Sequence, residues 1–483
     1  LPAKNHPQSL TLEDCYDHIS TQVFRLRPQN YHNKYPKWPG LVGLELEMLP
    51  VMTASIDKDK PQLVPLPNGV GSLSDALLKI VKTQKWQPES YSLESNGDSK
   101  ELLLRVMMDH EDQLSFEPGG QLEFSSSPYP CLEEALTRLT DVKSILSEHL
   151  QSSGITLLQT GINPWHTTAE IGLQMQKSRY QAMNKYFSRI SEYGPRMMRQ
   201  TCTVQVNLDF GADETTLAKR YLLGNLLAPV TTAIFANSPF VDGKDTGMQS
   251  FRGRVWRGID ITRTGIPPLE KIAKALNKKE CVDSYLEFLL NAPVVFIEAL
   301  AYRVPDKPLK FRDWLRAPVD GVSPTLEDFK THLSLHFPEL RPRGFMELRS
   351  VDCQGEAWTS VPATFYTSLL YVDSNLDRVL DGLAHLLGNI DQFLEKSSFG
   401  LKDPELARIG VMVMEAALSG IGKLPSCFQG EGTEKRLQIF HENFTARGRS
   451  PADDLRDEVK RGGGKITGRS LVNLDKSWQQ LIS

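Results

Sequence analysis

The chain has 483 residues, enough for two or three ordinary domains or one large catalytic unit. Its 55 lysines and arginines against 59 acids leave a formal net charge of −4, which excludes a general electrostatic pull toward nucleic acid or an anionic membrane. The six cysteines are scattered, with no C-x-x-C pair and no zinc-like spacing, and suit a reducing compartment.

The chain opens at Leu1, and nothing near it resembles the apolar core of a signal peptide. A cytoplasmic location is expected, or an organelle if a leader has been removed. The first alternating segment, Leu44 to Met48, predicts a strand whose two-residue period sends Glu45 and Glu47 to one face and the leucines to the other. Two such acids about 4 Å apart repel by about 4 kcal/mol at an effective dielectric of about 20, so a cation between them or a raised pKa is expected. An exposed charged strand would give the same pattern.

Glu117-Pro118-Gly119-Gly120-Gln121-Leu122-Glu123-Phe124 is more specific. Proline followed by two glycines forces a turn, after which Gln121 and Glu123 share one strand face while Leu122 and Phe124 enter the core. Glu117 and Glu123 can then reach one point. Leu132 to Leu150 has the apolar spacing of a helix with one buried stripe, ended at Gly154.

From Thr201 to Asp209 the residues Thr201, Thr203, Gln205, Asn207 and Asp209 alternate with Cys202, Val204, Val206 and Leu208. A strand with a ladder of neutral hydrogen-bonding groups suits an oriented polar ligand or a hydrated metal, although a solvent-facing strand alternates in the same way. A helix is predicted over 215–236. Its apolar stretch Leu222 to Ala236 is interrupted by Asn225 and Pro229 and is too short for a membrane span.

Arg252, Arg254, Trp256, Arg257 and Arg263 form a basic, aromatic run that can line a site or remain a solvated loop. Helices are predicted over 282–301, 362–397 and 404–420. Between them, Phe345 to Arg349 predicts a strand with Glu347 and Arg349 on one face, a carboxylate for a cation beside a guanidinium for a phosphoryl group, or a plain salt bridge. The glycine-rich stretch Ser426 to Lys435 reads as a linker dividing a catalytic domain, 1–425, from a helical tail, 426–483. Beyond Ser450 one or two exposed helices are expected. Arg461 to Lys465 (RGGGK) lacks the Ser or Thr and the upstream glycine of a phosphate loop and reads as flexible.

Together these strands describe an α+β fold, an antiparallel sheet with a concave polar front and helices on its back. Oxygen-only ligands without a histidine or cysteine cluster favour magnesium or manganese over zinc, and several cations held by glutamates suit a nucleoside triphosphate.

The motifs EPGGQLE (117–123), KSRY (177–180), RQTCTVQVNLD (199–209), FANSP (235–239), RTG (263–265), FPE (337–339) and MELR (346–349), in this order, closely resemble glutamate–cysteine ligase of the plant and proteobacterial type. The resemblance covers roughly residues 40–460. It implies a glutamine-synthetase-like fold, ATP as co-substrate, magnesium, and a γ-glutamyl phosphate attacked by the amino group of cysteine. It implies Glu45, Glu47, Glu117, Glu123, Gln205 and Glu347 as cation ligands or their neighbours, with Gln205, Asn207 and Arg349 toward the nucleotide. Arg349 and Arg263 would serve the chemistry, and Arg252, Trp256, Arg263, Arg179, Ile162 and Trp165 would bind substrate.

One segment departs from the family. Where it shows an aromatic residue, Gln-Pro-Lys-Trp and a nearby arginine, this chain reads Ile162-Asn163-Pro164-Trp165-His166-Thr167-Thr168. A changed amino-acid pocket is expected there, with His166 either replacing a cationic contact or simply exposed. Alternatives are a related ligase using another acceptor amine and a non-catalytic binding homologue. The partners expected are small molecules, with neither nucleic acid nor membrane, on a monomer or homodimer.

Overall fold

The computed structural model describes residues 10–28, 34, 38–67, 71–95, 98–430 and 432–483. The strands are β1 (Val42–Met52), β2 (Gln87–Ser95), β3 (Asp98–Met107), β4 (Gln113–Phe116), β5 (Leu122–Ser125), β6 (Ile155–Leu158), β7 (Val204–Leu208), β8 (Phe240–Val241), β9 (Lys244–Asp245), β10 (Leu340–Pro342) and β11 (Met346–Leu348). Nine of them make one sheet of order β10-β11-β7-β1-β5-β4-β3-β2, with β6 paired to the far end of β1, and every pairing is antiparallel. β8 and β9 form a separate small hairpin. This is the α+β architecture expected from the sequence, an antiparallel sheet with helices on its back.

Register sets the chemistry. Across the sheet Glu47 lies opposite Glu123, which lies opposite Ser115. Glu45 lies between Gln205 on β7 and Ser125 on β5, and Asn207 lies between Gly43 and Glu347. Because side chains alternate, these rows share one face, while Leu44, Leu46, Met48, Leu122, Phe124, Val204, Val206 and Leu348 are buried beneath it.

On the apolar side pack the helices Leu132–Ser152, Glu214–Ile234, Val361–Leu370 and Pro404–Ile421. On the polar side a second apolar cluster joins Met183, Phe187, Met197, Met198, Val255, Trp256 and Phe337, carried largely by the helices Ser178–Ile190, Tyr193–Arg199 and Phe251–Ile259. The polar face is therefore roofed, and β1 is buried along nearly all its length rather than wet on one side.

Three helix expectations change. The helix expected over 282–301 runs Lys278–Asn291, because Ala292 precedes Pro293 and is held extended. The stretch 362–397 divides into Val361–Leu370, Asp373–Leu383 and Ile390–Ser397. At the first break Asn375 Nδ2 donates to the Ser368 and Ala416 carbonyls, at 3.0 and 2.8 Å, so a side chain takes over where the helix stops.

The third concerns the tail. The helix Thr433–Asn443 begins inside the expected linker, and Pro451–Arg461 and Gly468–Ile482 are not exposed helices. Leu437, Phe440, Leu455, Leu474 and Trp478 join the same apolar cluster as β1 and Trp358. Residues on both sides of 426 thus share one core. The RGGGK segment lies in the turn between the last two helices, with Gly463 and Gly464 at φ of 97° and 84° and Lys465 paired with Asp59. Among the described residues no helix is long and apolar enough to cross a membrane.

Candidate active site

A cleft of about 440 Å³ lies between the polar face of the sheet and the helices that roof it. Its floor includes Glu45, Glu47, Gln205 and Asn207, and its far wall includes Arg179, Tyr180, Met183, Met198, Trp256 and Phe337.

At one end Glu47, Glu117 and Glu123 each place a carboxylate oxygen within 4.8 Å of the others. The turn makes this possible. Glu117 accepts from Gly120 N–H at 2.8 Å and donates its own N–H to Gln121 at 3.0 Å, with Gly120 at a φ of 87°. Gly119 passes so close to Arg199 that a Cβ would stand 2.3 Å from that residue's carbonyl oxygen. Only glycine fits both positions.

Hydrogen bonds aim the acids. Glu47 accepts from Thr203 N–H at 2.8 Å, Glu123 from the Ser115 hydroxyl at 2.7 Å and Glu45 from Asn207 Nδ2 at 2.9 Å. Burial, then Glu117 and Glu123, hold Glu47 well above the usual carboxylate range. Burial raises Glu117 although Arg349 pulls it back, and burial followed by Glu117 raises Glu123. Burial and the neighbouring Glu347 and Glu123 push Glu45 up to about 8.

The other end is positive. Glu347 is fully buried and accepts from Arg341 Nε at 2.5 Å and Nη2 at 2.9 Å, from Arg343 Nη1 at 2.9 Å and from Arg349 Nη1 at 3.0 Å. Burial opposes its ionisation, but Arg341, Arg349 and Arg343 outweigh that and hold its carboxyl below the ordinary value. Gln205 bridges the two ends, accepting from Arg349 Nη1 at 2.7 Å and reaching Glu47 through Nε2 at 3.4 Å. Glu347, expected among cation ligands, therefore stands apart from the three clustered acids, with both oxygens occupied by guanidiniums.

Residues 78–407 match the glutamate-cysteine ligase family 2 (GCS2), about two thirds of the chain. The chain belongs to that family. It is 34% identical over 326 residues to a chloroplastic glutamate–cysteine ligase of Medicago truncatula and 33% identical over 359 residues to that of Nicotiana tabacum. These alignments cover 64% and 68% of this chain but 62% and 66% of the relatives, so the chain spans less than two thirds of their length. The glutamate–cysteine ligase of Francisella tularensis, solved in complex with AMP, is 11% identical and superposes with a TM-score of 0.53 over 92% of this chain and 89% of that one. That likeness shows a shared fold.

Within this glutamate–cysteine ligase family member, several expected substrate residues do not face the cleft. Ile162 is fully buried in the roof cluster, where its backbone bridges to Thr201. Trp165 is buried and donates Nε1–H to the Ile466 carbonyl at 2.8 Å, so the departing segment fastens the last turn of the tail. His166 is buried, not exposed; burial and then Lys60 push its pKa down to about 4, which removes it as a cationic replacement.

Arg263 is also absent from the cleft wall. It is fully buried, donates Nη1–H to Leu335 O at 3.0 Å, pairs with Asp260 at 3.4 Å and stands 5.3 Å from the Tyr186 ring. Arg252 sits behind the wall, stacked 4.4 Å from Trp256 and donating Nη2–H to the Arg349 carbonyl at 2.8 Å. Arg179 and Trp256 do line the cleft.

Sequence reasoning missed Arg341, Arg343, Gln113, Ser125, Ser126 and the methionines. A signal for the arginines was present. Pro342-Arg343-Gly344-Phe345 reads as a tight hairpin, and such a turn sets Arg341 across from Glu347.

Proposed function

We propose that the protein is an ATP- and magnesium-dependent ligase that joins the side-chain carboxylate of glutamate to the amino group of cysteine. One observation carries this reading: a single roofed cleft holds three clustered carboxylates at one end and three guanidiniums around Glu347 at the other, bridged by Gln205. A cleft with both poles suits a metal-bound triphosphate and an acid to be activated.

The donor set fits magnesium or manganese. Glu47, Glu117 and Glu123 offer hard oxygens only, and burial raises the pKa of each, so a cation between them would favour their ionised forms. These three residues would hold it, with Glu45 alongside. When bound, the cation neutralises phosphate charge and polarises the transferring phosphoryl group. The chain's own contribution is orientation and charge. Arg349 meets the terminal phosphoryl group, Gln205 keeps Arg349 aligned, and the roof formed by Met183, Met198, Trp256 and Phe337 excludes water.

The glutamate carboxylate takes the terminal phosphoryl group and ADP leaves; the amine then attacks the acyl carbon, an amide forms, and phosphate and the ammonium proton depart. The chloroplastic location of the two plant relatives makes an organelle, beside the cytoplasm, a compartment to test by imaging. The decisive experiment supplies glutamate, ATP, magnesium and a mixture of amino acids, then identifies products by mass. γ-Glutamylcysteine with stoichiometric ADP is expected. Absence of any γ-glutamyl product would overturn the donor, and a different dominant amide would overturn cysteine.

A further inference from the structure

Three guanidiniums surround one carboxylate at Glu347, so two positive charges there have no partner within that cluster. The three arginines differ in freedom. Arg341 is partly buried, its side chain 12% exposed, and grips both Glu347 oxygens while also donating Nη1–H to the His336 carbonyl at 3.3 Å. Arg349 is buried and tied to Gln205. Arg343 is the outlier, with its side chain 48% exposed at the cleft wall and a single hydrogen bond to Glu347.

The base of Arg343 is nevertheless fixed. Its N–H donates to Phe345 O at 2.8 Å, and the next residue, Gly344, adopts a φ of 81° and donates its N–H to Val23 O at 2.8 Å. A Cβ at Gly344 would stand 3.1 Å from the Gln22 carbonyl oxygen, so the turn is backed by the N-terminal segment. The guanidinium lies over the Phe345 ring at 5.9 Å. The result is a rigid stem with a solvent-reachable cationic tip. A half-exposed ion pair holds such a tip weakly, whereas a phosphate offers several charge-assisted bonds.

We propose that Arg343 is a nucleotide-phosphate-binding residue that exchanges Glu347 for the triphosphate, and that Arg341 is the positioning residue that keeps Glu347 neutralised and in place when it does. This rests on the nucleotide-using reading above. Arg341 can hold Glu347 alone because its two N–H groups span both carboxylate oxygens. Glu347 in turn keeps Arg349 aimed into the cleft once Arg343 has left.

Equilibrium titration of the full chain with ATP and with AMP, in magnesium and without glutamate or amine, tests this apart from the ligase reaction. For Arg343→Met, ATP affinity falls on the order of tenfold, its dependence on salt weakens, and AMP affinity holds within about twofold. Unchanged ATP affinity, or an equal loss for ATP and AMP, overturns the role of Arg343. For Arg341→Lys, kcat falls while ATP affinity stays within about threefold of wild type, because charge is kept but the two-pronged grip is lost. Wild-type kcat in that variant, or parallel loss of ATP affinity and thermal midpoint, overturns the positioning role. If ATP binds as described yet no γ-glutamyl product forms, the phosphate assignment stands and the ligase reading fails.

Discussion

Each acid at the negative end of the cleft is poorly placed for the stability of the metal-free protein. Glu117 is raised by burial and stands against Glu47 and Glu123, so Glu117→Gln removes repulsion while keeping shape. The metal-free thermal midpoint should rise by about 1–3 °C, the stabilisation given by magnesium should vanish, and turnover should fall on the order of 100-fold. Differential scanning fluorimetry with and without magnesium reads the first two; a lower midpoint with magnesium stabilisation retained would remove Glu117 from the cation site. Arg349 holds both Gln205 and Glu347 through Nη1 alone, and lysine would keep the charge but lose the guanidinium's planar fork toward a phosphoryl group. Arg349→Lys should lower kcat and kcat/KM together, by about 10- to 100-fold, with little change in ATP affinity. Full kcat in that variant would end the phosphoryl-holding role.

At the scale of elements, the helix Leu326–Ser334 carries His332 into a buried edge-to-face contact with His336, their rings 4.7 Å apart. Burial, followed by Arg263, pushes His332 down to about 3, and burial with His332 and Arg263 lowers His336. Their folded-state pKa values lie below the unfolded one, so the unfolded chain binds more protons. Stability is therefore full above about pH 6.5 and falls as pH drops below it, by up to about 1.4 kcal/mol per pH unit for each histidine. Urea unfolding at pH 7, 6 and 5 should show this slope, and His332→Gln should flatten it; an unchanged slope would place the acid sensitivity elsewhere. Neither histidine stood out in the sequence, because a buried neutral imidazole is fixed by what packs on it. The elements that were legible carried local signals: the alternation around Glu45 and Glu47, the Pro-Gly-Gly turn before Glu123, and the polar ladder through Gln205 and Asn207. Trp165 and Ile162, expected from family position to bind substrate, have surroundings that come from the tail and the roof, hundreds and tens of residues away, which no local pattern signals.

At the scale of the whole molecule, the tail is structural. Trp478 packs 6.1 Å from Trp358, donates Nε1–H to Asp454 at 2.9 Å and stands 2.6 Å from where a Cβ on Gly355 would be. Trp478→Ala should cost about 3–5 kcal/mol, and removal of residues 451–483 should yield insoluble or unfolded protein. Denaturant unfolding of the point variant and solubility of the truncation check this; a stable, active truncation would show the tail to be dispensable. The tail's low mean apolarity hid this role, since its helices are amphipathic and charged on one side.

The position of β1 at the middle of the polar face has a consequence for the order of events as the chain folds. Its neighbours β5 and β7 lie about 80 and 160 residues downstream, and β11, which completes the face, lies about 300 downstream. A chain that has reached β5 holds the acids of β1 and β5, but apart from Arg252 beside Glu47 the guanidiniums that counter them arrive only with residues 341–349. Until then the β1 edge that β7 will pair with lacks its partner, and the acids of β1 and β5 lie far in sequence from the arginines that face them in the finished cleft.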